Sequence, residues 1–87
     1  MKPDKLSEAI SSQVAQLLKE EREKRGVSFN LLSQQAGLSR QTIAFIEEQS
    51  RIPNLDTLLR ITAALGVDLE KVIARARRRA TKSTRAR

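Results

Sequence analysis

The chain has 87 residues, no cysteine, no histidine and a formal net charge of +7. This length allows one small domain with a single core, and the missing residue types exclude disulfides, thiol catalysis and nearly all zinc chemistry. The sequence has no apolar run long enough for a membrane span or a signal peptide, which predicts a cytoplasmic protein.

The positive charge is concentrated at the C-terminus. Residues 71–87 contain eight Lys and Arg and no acidic residue, whereas residues 1–70 contain nine basic and ten acidic residues. The folded part is therefore nearly neutral, and the excess charge lies in the last fifth of the chain. Such a basic run is either a solvated tail or a source of phosphate contacts, and the sequence leaves both open.

The first predicted helix extends to about Arg25. Glycine and proline are rare and good helix formers are abundant, which favours an all-helical chain. One apolar stripe at helical spacing supports this first helix: Leu6, Ile10, Val14, Leu17 and Leu18. Each glycine is followed by an apolar residue and a helix-capping residue, a pattern that ends one helix and starts the next. The pattern uses all three glycines, so none is available for a phosphate-binding loop.

Two short helices follow, joined by a tight turn. Ser28 is the predicted N-cap of helix 2, Gly37 ends that helix, and Ser39 caps helix 3. Ile43 and Ile46 lie three residues apart on the inner side of helix 3. A short turn that contains glycine between two short helices is typical of a helix-turn-helix motif.

Two more helices complete the predicted fold. Asn54 caps helix 4 after the loop that contains Pro53, and Asp68 opens helix 5. The residues that we place on the buried side of helix 4 are Leu55, Leu58, Leu59, Ile61 and Leu65. Residues 80–87 contain no apolar side chain larger than alanine, so we predict a folded domain over residues 1–79 and a disordered basic tail over 80–87.

Three stretches of the sequence resemble a known family. The patterns S-x-x-x-L-x-x-x-A-G-L-S, I-x-x-I-E and P-x-L-x-T-L-x-x-I-x-x-A-L-G-V resemble those of the phage-repressor/Cro-type, or XRE-type, helix-turn-helix proteins. The resemblance covers about residues 12–73. It implies an all-α, five-helix, lambda-repressor-like DNA-binding domain in which helices 2 and 3 form the motif.

The resemblance also implies contacts to double-stranded DNA. Base contacts are expected from helix 3, at Arg40, Gln41, Thr42, Ala44 and Phe45. Phosphate contacts are expected from helix starts and the loop after helix 3, at Ser28, Phe29, Asn30, Ser39, Ser50, Arg51 and Asn54. Two departures stand out: the phenyl ring of Phe29 cannot make the family's hydrogen bond, and Gln49 replaces a common glycine, which predicts either a different turn or a strained one.

Two structural roles follow from the same resemblance. Arg22 and Glu47 match an ion pair between helix 1 and the end of helix 3, which is expected to be partly buried. Dimerisation is expected through helix 5, at Leu69, Val72 and Ile73, although these side chains could equally close the monomer core. Phe45 could contact a thymine methyl group, or it could lie against helix 4 or a partner subunit.

The expected function is sequence-specific transcriptional regulation. We predict a dimeric repressor that binds a pseudo-palindromic operator with helix 3 in the major groove. The alternative is a helix-turn-helix module that binds a protein, such as an antitoxin or a coactivator adaptor; the near-neutral residues 1–70 keep it open. An enzyme is not expected, because Glu20, Glu21 and Glu23 do not converge on one helix face. No cofactor, metal or small-molecule effector is expected.

Overall fold

A computed structural model describes the backbone of residues 5–85 and the side chains of residues 5–82. Over this part of the chain the fold is all-α. The five helices are α1 (Lys5–Lys24), α2 (Phe29–Ala36), α3 (Arg40–Glu47), α4 (Leu55–Leu65) and α5 (Leu69–Arg85). The predicted fold class and the predicted order of helices are confirmed.

Helices α1 and α5 form the most extensive helix pair, and α1 also contacts α3 and α4. Leu17 and Leu18 of α1 are almost fully buried, as are Leu32 of α2 and Ile43 of α3. These side chains meet in one core cluster with Ile61 of α4. The short helices α2 and α3 are therefore held against a longer helical frame, which sets the orientation of the outer face of α3.

The end of α5 differs from the prediction. The helix continues through Arg85, whereas the sequence predicted a disordered tail from residue 80; residues 86–87 lie outside the described residues. Ala76 and Ala80 are 0% and 1% exposed. Because they are small and four residues apart, they let α5 approach its neighbour closely along one face. Small side chains therefore extend the packing where we expected too little apolar surface.

The expected dimer residues lie largely inside the monomer. Leu69 and Val72 are 7% and 4% exposed, and Ile73 packs against the core with part of its side chain still accessible. Leu69 and Val72 therefore help to close the monomer core, which was the alternative to a role in dimerisation. None of the helices, over the described residues, combines the length and apolarity that a membrane span needs.

Candidate nucleic-acid interface

Local capping fixes the geometry of the turn between α2 and α3. The Ser28 hydroxyl accepts a hydrogen bond from the backbone N–H of Leu31, and the Ser39 hydroxyl accepts one from that of Thr42, each at 3.0 Å. Gly37 ends α2 with a φ of 70°, in the left-handed region that glycine adopts without steric cost. A side chain at Gly37 would also come within 3.2 Å of the Arg60 guanidinium. The predicted caps of both helices are confirmed.

Helix α3 has one buried side and one accessible side. Ile43 and Ile46 are 1% and 2% exposed and anchor the inner side. On the outer side, Arg40 and Gln41 are exposed at the N-terminal end of the helix. The helix thus presents a guanidinium and an amide at its start, and both groups can form paired hydrogen bonds with base edges.

The other three expected base-contacting residues are half-buried. They are Thr42, Ala44 and Phe45. The hydroxyl of Thr42 lies 2.8 Å from that of Ser39, so these two oxygens share a hydrogen bond at the start of the helix. The structure therefore places all five expected residues on one helix, with Arg40 and Gln41 the most accessible of them.

The expected phosphate-contacting residues are exposed on three neighbouring segments: the start of α2, the start of α3 and the loop over residues 48–54, here called the α3–α4 loop. They are Ser28, Phe29, Asn30, Ser39, Ser50, Arg51 and Asn54. The Asn54 side-chain oxygen accepts the Thr57 backbone N–H at 2.8 Å. Because capping uses acceptor oxygens, the amide of Asn54 and the hydroxyl of Ser28 keep donors that can bind phosphate.

Phe29 has a structural contact that the sequence alone did not reveal. The centre of its ring lies 4.3 Å from the guanidinium carbon of Arg22, and Phe29 is 37% exposed on the surface of α2. A cation over an aromatic face is attracted by the ring quadrupole. Phe29 therefore covers Arg22, in the place where the family resemblance implied a phosphate contact.

Arg22 and Glu47 form the expected ion pair. Arg22 donates from Nε and Nη2 to the two carboxylate oxygens at 2.7 and 3.1 Å, and from Nη1 to the Val27 carbonyl at 2.8 Å. The hydrogen bonds that Arg22 donates to the Glu47 carboxylate are the main reason that the pKa of Arg22 lies above its ordinary value. The contacts connect α1, the turn before α2 and the end of α3.

The second residue of the α3–α4 loop has a strained backbone conformation. Gln49 has a φ of 64°, as expected for a glutamine in the position of a common glycine. Its side-chain oxygen accepts a hydrogen bond of 2.7 Å from the Ser12 hydroxyl of α1. The contact between Ser12 and Gln49 was not predicted from the sequence, because the two residues lie 37 positions apart and no local pattern indicates the contact.

The loop also holds two charged side chains in separate environments. The carboxylate of Glu48 lies 3.5 Å from the Ser50 hydroxyl. The guanidinium of Arg51 lies 4.9 Å from the centre of the Phe45 ring. Within residues 5–82, Glu48 and Arg51 form no ion pair with each other, although they are three residues apart.

An apolar surface lies beside this interface. Leu55 and Leu59 were expected on the buried side of α4, but they are 62% and 51% exposed, so that assignment is wrong. Ile52 in the preceding loop is 80% exposed. We call Ile52, Leu55 and Leu59 the α4 apolar surface. Asp56 and Arg60 flank it as an exposed ion pair with an N–O distance of 2.8 Å.

Comparison with known proteins identifies a family. A family model described as helix-turn-helix matches residues 18–72, from the middle of α1 to the first turn of α5. No curated protein matches the chain. Within residues 5–82, no group of three acidic side chains is placed to hold a metal ion.

Proposed function

Because the chain belongs to the XRE-type helix-turn-helix family, whose members bind DNA and regulate transcription, we propose that it is a sequence-specific repressor. It binds a pseudo-palindromic operator as a dimer, with α3 of each subunit in the major groove. It acts by occupying promoter DNA. The centres of the two half-sites then lie about one helical turn, ~34 Å, apart.

The observation that carries this proposal is the outer face of α3. Arg40 and Gln41 are exposed at the start of a helix whose opposite side is fixed in the core by Ile43 and Ile46. Guanidinium and amide groups recognise guanine and adenine edges through paired hydrogen bonds. A rigid helix that presents both groups at its N-terminal end has the chemistry needed to distinguish base pairs.

Phosphate binding supplies the orientation of this helix. Ser28 and Asn30 at the start of α2, and Arg51 and Asn54 after α3, are exposed on the segments that flank α3. Contacts of this kind fix the register of a protein on the duplex without reading the sequence. Two groups of donors on either side of α3 would hold it at one angle in the groove.

The α4 apolar surface is the dimer contact that we propose. Leu69 and Val72 are buried in the monomer, so of the three expected dimer residues Ile73 alone retains accessible surface to share. In a two-fold dimer the same surface of each subunit faces its copy. Pairing two α4 helices in opposite directions covers Leu55 and Leu59 and brings Asp56 of one subunit towards Arg60 of the other.

Selection of bound duplexes from a random pool, with light scattering of the same protein, tests the proposal. We expect a two-fold symmetric motif, a dimer, and a Kd of about 10⁻⁸ to 10⁻¹¹ M at physiological salt. Replacing Leu59 with Glu should remove the dimer and the cooperative binding of paired half-sites. Replacing Leu31 with Glu is a control for oligomeric state, because Leu31 is 41% exposed on α2, outside this surface.

Two results would contradict the proposal. Binding that selects no motif and disappears at modest salt would show that charge alone holds the DNA. The α4 apolar surface would then point to a protein partner, as in the adaptor alternative. Enrichment of a motif by a monomer would keep the regulator but reject the dimer.

A further inference from the structure

Phe45 and Arg51 form a single unit at the edge of the candidate interface. Phe45 belongs to α3 and Arg51 to the α3–α4 loop, and the guanidinium carbon lies 4.9 Å from the ring centre. Phe45 is half-buried, whereas Arg51 is exposed. The ring is therefore fixed by the recognition helix, and the arginine rests on its accessible face.

The hydrogen-bond donors of Arg51 are left available by this arrangement. Within residues 5–82, its guanidinium is in no ion pair and no side-chain hydrogen bond. A guanidinium that stacks on a ring keeps its N–H groups in its own plane, where they remain free to bind a planar or tetrahedral anion. Stacking thus orients Arg51 without occupying its donors.

The ring also keeps Arg51 from a competing partner. Glu48 lies three residues earlier, and its carboxylate is exposed and only weakly engaged, 3.5 Å from the Ser50 hydroxyl. A long arginine side chain without a resting surface loses conformational entropy when a ligand fixes it. It could also pair with this neighbouring carboxylate, which would neutralise its charge.

We propose that Phe45 is a positioning residue that holds Arg51 for a DNA phosphate beside the groove entered by α3. This inference rests on the proposed DNA-binding function. It assigns Phe45 an effect on affinity that passes through Arg51. A contact between the ring and a thymine methyl group would instead act on sequence preference at one base pair. The two roles give different results when both residues are varied.

The experiment is a double-mutant cycle with Phe45→Leu and Arg51→Gln, measured on the selected duplex and on duplexes altered at single base pairs. Leucine keeps an apolar side chain but lacks the ring face. We expect Phe45→Leu to weaken binding by about twofold to fivefold on all duplexes, because Arg51 must then be ordered when DNA binds, and immobilising one long side chain costs about this much. In the Arg51→Gln background the same change should have no further effect.

Salt dependence and conservative variants supply further readouts. Arg51→Gln should reduce the slope of log K against log salt by about 0.9, the value for one phosphate contact. Phe45→Tyr keeps a ring face and should bind like the wild type. Arg51→Lys keeps the charge but loses the planar stack, so it should lie between the wild type and Arg51→Gln. Thermal unfolding of each variant establishes that the compared proteins are folded.

Three outcomes would overturn the inference. Equal losses from Phe45→Leu in both backgrounds would show that the ring acts without Arg51. A loss confined to one base pair, and reproduced when thymine there is replaced by uracil, would assign the ring to a methyl group. If the wild type binds no duplex at all, the proposed function fails and this inference fails with it. Binding by the wild type without coupling rejects the inference alone.

Discussion

Arg22 and Glu47, 25 residues apart in the chain, place opposite charges in contact where α1, α2 and α3 meet. Their side chains are only 12% and 7% exposed. The Phe29 ring of α2 lies against the Arg22 guanidinium. The pair therefore links α3 to the helical frame and contributes to the angle between α3 and α1.

Breaking this pair should destabilise the fold strongly. Glu47→Leu leaves Arg22 largely buried without its counter-charge, and such a change costs about 3–5 kcal/mol in the free energy of unfolding. The double variant Arg22→Met with Glu47→Leu should recover much of this loss, because it leaves no unpaired charge. Urea unfolding measures all three.

The exposed pair Asp68–Lys71 provides the control for that measurement. Its side chains are 58% and 79% exposed, so Lys71→Gln should cost less than about 1 kcal/mol. Similar costs for Lys71→Gln and Glu47→Leu would contradict the view that burial makes the Arg22–Glu47 pair important.

Packing of α5 beyond residue 79 predicts a contrast among three alanines of one helix. Ala76 and Ala80 are buried, whereas Ala74 is exposed. Ala76→Leu and Ala80→Leu should each lower the free energy of unfolding by about 1–3 kcal/mol, because extra methylenes do not fit a close helix contact. Ala74→Leu should change it by no more than about 0.5 kcal/mol. If Ala80→Leu is as mild as Ala74→Leu in urea unfolding, the helix beyond Arg79 is not packed.

The contact between Glu20 and Arg79 predicts a dependence on pH. Arg79 donates to both carboxylate oxygens at 3.1 and 3.0 Å. These hydrogen bonds lower the pKa of Glu20 and raise the pKa of Arg79 from their ordinary values. A carboxyl with a lowered folded-state pKa adds stability above its unfolded pKa, about 4.3, and loses it as the pH falls through the folded value.

Glu20→Gln should therefore be less stable than the wild type at neutral pH, by less than about 1 kcal/mol because the pair is partly exposed. This difference should disappear on acidification through the lowered pKa. In an Arg79→Gln background, Glu20→Gln should show little pH-dependent difference at all. A difference that is constant from neutral to acidic pH would argue against the ion pair.

Local chemistry explains why the helix boundaries were predictable from sequence. Ser28, Ser39 and Asn54 cap helices through hydrogen bonds to residues three positions later, and Gly37 ends α2 through its own backbone conformation. Each of these signals lies within four residues of its effect. The local sequence is therefore sufficient to predict these helix ends.

Tertiary packing explains what was missed. The apolar side chains of α4 form one broad face, and their spacing does not show which part of that face the other helices cover; Leu55 and Leu59 lie on the part that is left exposed. The contacts of Phe45 with Arg51 and of Phe29 with Arg22 join residues in different segments. Their existence depends on the angles between helices, and no local pattern encodes those angles.

Gln49 offers a test of strain in the α3–α4 loop. Its φ of 64° is costly for a residue with a Cβ atom, whereas glycine adopts it freely. Gln49→Gly should raise the free energy of unfolding by about 0.5–1 kcal/mol, which is the strain relieved less the greater entropy of glycine in the unfolded chain.

Two variants control for the other properties of Gln49. Gln49→Val keeps a Cβ and adds branching, so it should be less stable than the wild type in the same urea titration. Ser12→Ala removes the hydrogen bond to the Gln49 side chain and should have a small effect, because the bond is exposed. If Gln49→Gly is destabilising by more than Ser12→Ala, the conformation is not the source of strain.

The assignment of α3 as the reading helix makes its most direct prediction at Gln41. The side chain is exposed one position after the start of the helix, and its amide can bind the N6 and N7 positions of adenine together. Gln41→Ala should relax the preference at one or two base pairs by about 1–3 kcal/mol in discrimination and leave the other positions unchanged.

Gln35 is an exposed glutamine on α2, and Gln35→Ala is the matched control that should leave all preferences intact. Selection from a random duplex pool measures both variants side by side. An unchanged motif for Gln41→Ala would count against α3 as the reading helix, because a bidentate contact cannot be lost without a change in sequence preference.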